Sequence, residues 1–490
     1  MEHNQPSVVE ILSSVAKANA NKLAIVDKSD TTTFGKLELA VRKTARYLTE
    51  KGIQRQDRVL VLVPLSIDLY RVTLALNYIG AAAIFVEDWI TFQQIGACCE
   101  AAKPKAVVTH WKGLIYSWLK PALRRIPLKI NLAGYANKAP LEVAPQLRPE
   151  DEAIISFTSG TSGVPKMLVR DFQFLNHQFY TLREVKQSRS DEVELLTLPA
   201  FLFLNLAMGS TSVLADFNKL KPDHFEPQKI AQQIVKHKVN SICASPSFLL
   251  KLCNAGLDAP IKSTIKNITT GGAPVFPDDA AQMAEHFPNA KITVIYGSSE
   301  AEPISVADGV ALATSTVING LFAGQIHPET EVRIMQIAEK QPVGEILVTG
   351  PNVVLKGEQN KVVVDGKKWH RTGDSGYLAE NGALYLTGPV AALVDCEGQL
   401  WSPFIFEGLA NKNEAVTRAT LVKVGSQLIA AVVAKKGGDK NRIKNDLMKL
   451  AVPFDKVVFL DSFPYDHRHG GKIKYTELEQ LIKVKLARFE

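Results

Sequence analysis

The chain opens as an alternation of short apolar runs with segments whose apolar residues recur every three to four positions. Lys22 to Val26, Arg58 to Val63, Ala83 to Val86 and Ala106 to Thr109 read as buried strands. Between them, Leu37, Val41, Ala45 and Leu48 share one helical face, and Ser66 to Ile79 reads as a helix with Ser66 as its cap and Gly80 as its stop. Ile230 to His237 and Ser247 to Asn254 continue the helical pattern, and Ser241 to Ala244, Asn267 to Thr270 and Ile292 to Tyr296 continue the strands. Strands alternating with helices predict parallel sheets covered by helices. From about Gly320 the pattern becomes closely spaced strands, at Glu331 to Ile334, Gly344 to Val348, Val362 to Val364 and Leu384 to Leu386, which predicts an antiparallel, barrel-like part. Beyond Gly388 it turns α+β, with strands at 420–423, 428–432 and 457–460, a helix near 440–450 and a last helix from Thr476. A boundary is expected near Thr387-Gly-Pro389, where glycine and proline interrupt regular pairing.

Composition narrows this picture. At 490 residues the chain exceeds a single core, and 46% hydrophobic with 22% charged residues is ordinary for a globular protein. A net charge of +7 fits an anionic ligand without requiring one. No arginine-rich arm, zinc spacing or basic stripe with interleaved aromatics is present, so nucleic acid is not an expected partner. Cys98, Cys99, Cys243, Cys253 and Cys396 form no metal or redox spacing and point to reduced thiols, hence a cytoplasmic location. Leu195 to Gly209 is the most apolar stretch, yet it is too short for a membrane span and contains Pro199 and Asn205. Within it, Phe201, Phe203 and Leu204 are either the wall of an acyl pocket or part of a plain core strand.

The strongest chemical signal is Thr158-Ser-Gly-Thr-Ser-Gly-Val-Pro-Lys166, which follows the apolar run Ala153 to Phe157. Glycines that let backbone N–H groups approach an anion, hydroxyls that donate further hydrogen bonds and one lysine suit a polyphosphate. The same composition also suits a surface turn. A Walker loop is excluded, because Lys166 follows Val164-Pro165 instead of preceding Ser or Thr at the start of a helix. Four later elements fit a nucleotide site. Glu300 is placed to ligate Mg2+, Gly272-Ala-Pro274 offers a flat backbone surface for a base, Asp374 suits two ribose hydroxyls, and Lys472 brings charge to a reacting carboxylate or phosphate. Each alone is more simply a turn residue or a solvated charge; their order gives them weight.

In that order these residues resemble the adenylate-forming superfamily of acyl-CoA synthetases, luciferases and peptide-synthetase adenylation domains, over nearly the whole chain. Thr158, Ser159, Gly160, Thr161, Ser162, Gly163 and Lys166 match the phosphate loop, with Thr161 beside Glu300 at the metal. Gly272, Ala273 and Pro274 match the adenine-side turn, and Tyr296, Gly297, Ser299 and Glu300 the Tyr-Gly-x-Thr-Glu motif with Ser for Thr. Thr372-Gly-Asp374 matches the ribose motif and Lys472 the C-terminal catalytic lysine. The resemblance implies an α/β N-terminal domain, residues 1–387, of two helix-covered sheets to about 319 and a distorted barrel from about 320. A small mobile α+β domain would follow at 388–490. It implies ATP and Mg2+ as cofactors, a carboxylic acid as substrate and CoA as acceptor; a weak homodimer is compatible with it.

The departures sit at the domain junction. The family's Gly-Arg is Gly388-Pro389 here and Ala391 stands at the hinge, although Gly398 and Glu407 keep the register. Arg371 and Arg468 are the nearest substitutes by motif position. Asp466 to Ile473, Tyr296 to Ser305 and Phe201 to Gly209 resemble the β-lactone synthetases of bacterial hydrocarbon pathways, in which the substrate's own β-hydroxyl attacks the adenylate. Three readings therefore stand: an acyl-CoA synthetase, a β-lactone synthetase, and a nucleotide-binding homologue that has lost catalysis with the junction arginine.

Overall fold

The structure is a computed structural model and describes all residues except 1–7, 29, 87–89, 91, 144–145, 159–164, 218–224, 338–340, 357–359, 397–398, 451, 466–470 and 488–490. The chain forms two compact units, Met1–Asp216 with Lys229–Cys243, and Phe217–Gln228 with Ala244–Glu490.

The first unit holds two sheets. One runs in the order Leu128–Asn131, Ala106–Thr109, Arg58–Leu62, Ala82–Ile84, Glu152–Thr158, Lys166–Asp171, all parallel except the last pair. Leu60, Ile84, Val107 and Ile155 pack in one core and the alternate residues Val59, Val61, Ala83 and Val108 are buried as well, as in parallel strands covered by helices on both faces. In the other sheet, Leu23–Val26, Thr211–Leu214, Val193–Leu196 and Ser241–Ala244 run parallel, with Thr31–Thr33 antiparallel at the edge. Helix Phe34–Glu50 begins at Thr33, whose side chain accepts from the Lys36 N–H at 3.3 Å, and buries Leu37, Val41, Ala45 and Leu48 as their spacing requires. Helix Ile67–Tyr78 starts after Ser66, but the expected cap is not made, since the Ser66 hydroxyl donates to Pro64 O instead. Gly80 is the expected stop, at φ +75°.

The apolar run after Pro199 is a helix, Phe201–Met208, which corrects the core-strand reading. Every side of it is apolar, so no period marks it as helical, and it is buried nearly all round. Its one polar residue, Asn205, is fully buried and accepts from Lys186 at 2.8 Å while donating to Glu194 at 2.6 Å and Ser212 at 3.1 Å. This network ties the helix to the sheet at Glu194.

The second unit begins with the parallel pair Asn267–Gly271 and Lys291–Ser298. The chain then reverses into Ala301–Asp308, an antiparallel strand absent from the sequence reading, because Glu302-Pro303 looks like an interruption. Leu321–Ile326, Ala383–Pro389, Lys367–Leu378, Gly344–Thr349 and Glu331–Gln336 continue the antiparallel ladder. The last segment builds a three-stranded sheet from Val416–Val424, Gln427–Ala434 and Lys456–Leu460. Alternate residues serve its two faces. Leu421, Leu428 and Ala430 pack with Phe406, Ile443 and Leu447, whereas Val422 and Ile429 pack with Leu478 and Ile482. Among the described residues, no helix is long and apolar enough to cross a membrane.

Candidate active site

In the first unit Thr158 and Lys166 close the antiparallel pair, placing the predicted phosphate lysine on a strand opposite the predicted first loop residue. Ser159, Gly160, Thr161, Ser162 and Gly163 lie outside the described residues. The support beneath is charged and specific. Arg55 holds Asp151 through two hydrogen bonds of 2.7 and 2.8 Å, and Arg58 holds Glu152 at 2.6 and 2.7 Å. The Arg55 bond, with help from the Arg148 N–H, holds the Asp151 carboxyl down to about 2 against the effect of burial. Arg170 donates to Ser156 at 2.9 Å, and Asp171 caps the next helix through the Phe174 N–H at 2.8 Å. Of the predicted pocket residues, Phe201 and Leu204 are buried, with Lys186 Nζ 5.9 Å from the Phe201 ring. Phe203 is half-buried and meets Tyr70 edge-on at 5.2 Å, and the Tyr70 hydroxyl donates to Pro199 O at 3.0 Å.

The second unit gathers the other predicted residues. Thr270 pairs with Val294 and Gly271 with Ile295, so Gly272-Ala-Pro274 leaves its strand beside Tyr296-Gly297, which stay in the sheet and pair onward with Ala301–Asp308. Gly272 has φ +82°, and a Cβ on Gly271 would lie 2.4 Å from Ile295 O. Both glycines are therefore dictated by backbone geometry. The Tyr296 hydroxyl donates to Asp374 Oδ2 at 3.0 Å. Burial pushes the Asp374 carboxyl up from its ordinary range, and the Lys472 ammonium and the Tyr296 hydrogen bond oppose that shift. The ribose-type carboxylate and the catalytic-type lysine are thus electrostatic neighbours, from residues 98 positions apart in sequence. Thr372 Oγ1 donates to Ile346 O at 2.8 Å and accepts from the Asp374 N–H at 3.1 Å, fixing the turn at Gly373.

Glu300 sits in the tight turn between Ser298 and Ala301, its N–H donating to Ser298 Oγ at 3.2 Å and its C=O accepting from the Val354 N–H at 2.7 Å. Val354 O in turn accepts from Lys361 Nζ at 2.6 Å, and Lys361 lies 3.3 Å from His370 Nδ1. Burial pushes Lys361 down to about 8, opposed by the Glu300 charge, and burial with Lys361 pushes His370 down to about 4. The sequence reading missed this cation beside Glu300. A single carboxylate is a suitable protein share for Mg2+, which takes its remaining ligands from phosphate and water.

The junction is beside Asp374. Pro389 is its ladder partner and Gly388 is the partner of Ser375, whose hydroxyl donates to Gly388 O at 2.7 Å. Gly388 has φ +117°, and a Cβ there would lie 2.6 Å from Pro403. Of the nominated substitutes for the junction arginine, Arg371 is committed to Glu345 at 2.5 and 2.9 Å, and Arg468 lies outside the described residues. A different arginine, Arg418, which the sequence analysis did not single out, is largely buried in the last segment and reaches the backbone next to Lys472. Its guanidinium pairs with the fully buried Glu407, lies 5.7 Å from the Phe276 ring centroid and donates to Gly471 O at 3.2 Å, one residue before Lys472. Burial pushes Glu407 up to about 7 even against Arg418.

The AMP-binding enzyme family matches residues 12–356 of the chain. The chain is 26% identical to the olefin β-lactone synthetase of Stenotrophomonas maltophilia, over 98% of this chain and 96% of that protein. It is also 26% identical to the peroxisomal OPC-8:0-CoA ligase 1 of Arabidopsis thaliana, over 94% and 91%. In fold it is similar to ATP-bound MatB from Rhodopseudomonas palustris, with a TM-score of 0.81 at 21% identity over 97% and 99% of the two chains. A match of this extent means that the chain belongs to the AMP-binding enzyme family, the adenylate-forming ligases. It is an ATP-dependent, adenylate-forming enzyme.

Proposed function

We propose that the protein activates a β-hydroxy fatty acid as its acyl-adenylate and closes that adenylate to a β-lactone. A carboxylate oxygen attacks the α-phosphorus of ATP, the bond to pyrophosphate breaks, and the substrate's β-hydroxyl oxygen then attacks the acyl carbon, releasing its proton to solvent and expelling AMP. The observation that carries the first step is the Tyr296 hydroxyl on Asp374 with the Gly272-Ala-Pro274 turn adjoining in the same unit, and the Lys472 charge acting on that carboxylate. In this reading Asp374 accepts the ribose hydroxyls, Lys472 orients the carboxylate and stabilises charge developing at phosphorus, and Lys166 with the loop 158–163 holds the departing pyrophosphate. Glu300 with Thr161 would hold Mg2+, which supplies charge neutralisation on the phosphates. Residues 388–490 act as the piece that delivers Lys472, hinged at Gly388-Pro389.

The cyclising second step is supported by the olefin β-lactone synthetase relatives. An intramolecular hydroxyl also has a high effective concentration and needs no second substrate. Transfer to CoA is the second reading, favoured by the 26% identity to a plant CoA ligase. The free state of all five cysteines accords with a cytoplasmic setting.

The test is incubation with ATP, Mg2+ and β-hydroxy or plain fatty acids, with and without CoA, with products identified by mass spectrometry. A lactone formed without CoA is the expected result. A thioester formed only with CoA assigns the second reading, and absence of acid-dependent AMP and pyrophosphate with every acid contradicts both.

A further inference from the structure

Between Glu100 and Glu142 the chain carries no acidic residue and eight Lys or Arg. In the middle of that stretch lies the helix Trp111–Leu119. Trp111, Ile115 and Trp118 recur at i, i+4 and i+7, so they form one stripe, and Leu119 borders it. A helix on a protein surface normally turns such a stripe inward. This one turns it outward: Trp111 is 59% exposed, Ile115 55%, Trp118 60% and Leu119 72%, while Ser117 faces the interior. Cations frame the stripe. Lys112 Nζ lies 5.4 Å from the Trp111 ring, Lys129 Nζ lies 4.5 Å from the Trp118 ring, and Arg124 and Arg125 are exposed on the next turn of chain.

Size and charge decide what this face meets. A nine-residue helix is about 13 Å long, and one side of it falls well short of the roughly 800 Å² per partner that a stable protein interface buries. A second copy of the chain would bring two acid-free basic segments together, which is electrostatically unfavourable. A bilayer needs neither a large complementary surface nor acidic side chains. Exposed tryptophans and aliphatics rimmed by Lys and Arg match a short helix lying in the plane of an anionic lipid surface.

We propose that Trp111–Leu119 docks the protein reversibly on anionic bilayers, with Trp111, Ile115, Trp118 and Leu119 at the headgroup–acyl boundary and Lys112, Arg124 and Arg125 against the headgroups. The docking goes beyond the catalytic reading and is independent of which acid is activated. The test is co-sedimentation of the full chain with phosphatidylcholine vesicles, with and without phosphatidylserine. Wild type is expected to pellet with the anionic vesicles only and to be released by high salt. Each basic residue at such a surface contributes about five-fold to partitioning, so Lys112→Gln with Arg124→Gln and Arg125→Gln should weaken it on the order of 100-fold. Trp111→Ser with Trp118→Ser should abolish pelleting while the melting temperature is retained. Absence of pelleting by wild type, equal pelleting with neutral vesicles, or unchanged pelleting of the tryptophan variant each overturns the proposal. So does sedimentation equilibrium showing a wild-type dimer that those two serines convert to monomer, which would give the face to a second copy.

Discussion

Arg418 links the buried Glu407 to the backbone next to Lys472, and Arg418→Met separates a contribution to stability from one to the placement of that lysine. The substitution keeps much of the stem that packs toward Phe276 but removes the guanidinium that pairs with Glu407 and donates to Gly471 O. Leaving one member of a buried ion pair alone costs about 3–5 kcal/mol, so the single variant should melt lower. The charged hydrogen bond to Gly471 is worth about 1.5–3 kcal/mol, and misplacement of a catalytic group by about 1 Å costs on the order of 100-fold. ATP–pyrophosphate exchange should therefore fall roughly 100-fold. A second substitution, Glu407→Leu, replaces the buried pair with apolar groups and should recover most of the stability. It offers Gly471 no donor, so exchange should stay low. The comparison is completed in a Lys472→Ala background, where Arg418→Met should depress residual exchange little further, because both changes act on the same lysine. Recovery of full exchange in the Glu407→Leu, Arg418→Met double variant, or an equal further loss in the Lys472→Ala background, refutes positioning of Lys472 by Arg418.

Tyr296, Glu407 and Lys361 give three further expected outcomes. Tyr296→Phe removes the hydroxyl that donates to Asp374, and at about 1.5–3 kcal/mol for a bond to a carboxylate it should raise the KM for ATP roughly ten-fold or more. An unchanged KM would show that this bond does not prepare Asp374 for the nucleotide. Glu407 has its carboxyl pushed up to about 7 in the folded chain. The stability of its protonated form is thus fully present below the ordinary glutamate range and is lost as pH rises through about 7. Glu407→Gln should flatten the decline in melting temperature over that window, and an unaltered pH dependence would contradict the assignment. Lys361→Met withdraws the ammonium from Val354 O, which shares its residue with the strand bond to Glu300. The Mg2+ concentration for half-maximal exchange should rise several-fold, and Lys361→Arg should restore it in part; indifference of the Mg2+ requirement to both changes would remove Lys361 from the support of Glu300.

Most strands, several helices and the order of the site motifs were legible because they rest on local rules. Buried parallel strands are short unbroken apolar runs, and Gly271, Gly272 and Gly388 stand where a Cβ or an ordinary φ is not tolerated. The helix Phe201–Met208 was ambiguous because a segment apolar on every side has no period. Ala301–Asp308 was missed because Pro303 near its start resembles a break, although strands accept proline at that position. Arg418, Lys361 and His370 were illegible for a different reason. Their partners lie elsewhere in sequence or in backbone carbonyls, as with Glu407, Gly471 and Val354. Nothing local to a charged residue in a strand distinguishes a buried link from a solvated face.

The proposed role of Lys472 in forming the acyl-adenylate is tested by comparing wild type with Lys472→Ala in two assays. One is equilibrium binding of ATP; the other is acid-dependent release of pyrophosphate in a single turnover with a β-hydroxy fatty acid. ATP affinity should stay within about two-fold of wild type, since charge removed from an exposed side chain contributes little to a ground state held by other contacts, and pyrophosphate release should fall by at least about 100-fold. Wild-type pyrophosphate release from Lys472→Ala would contradict that role.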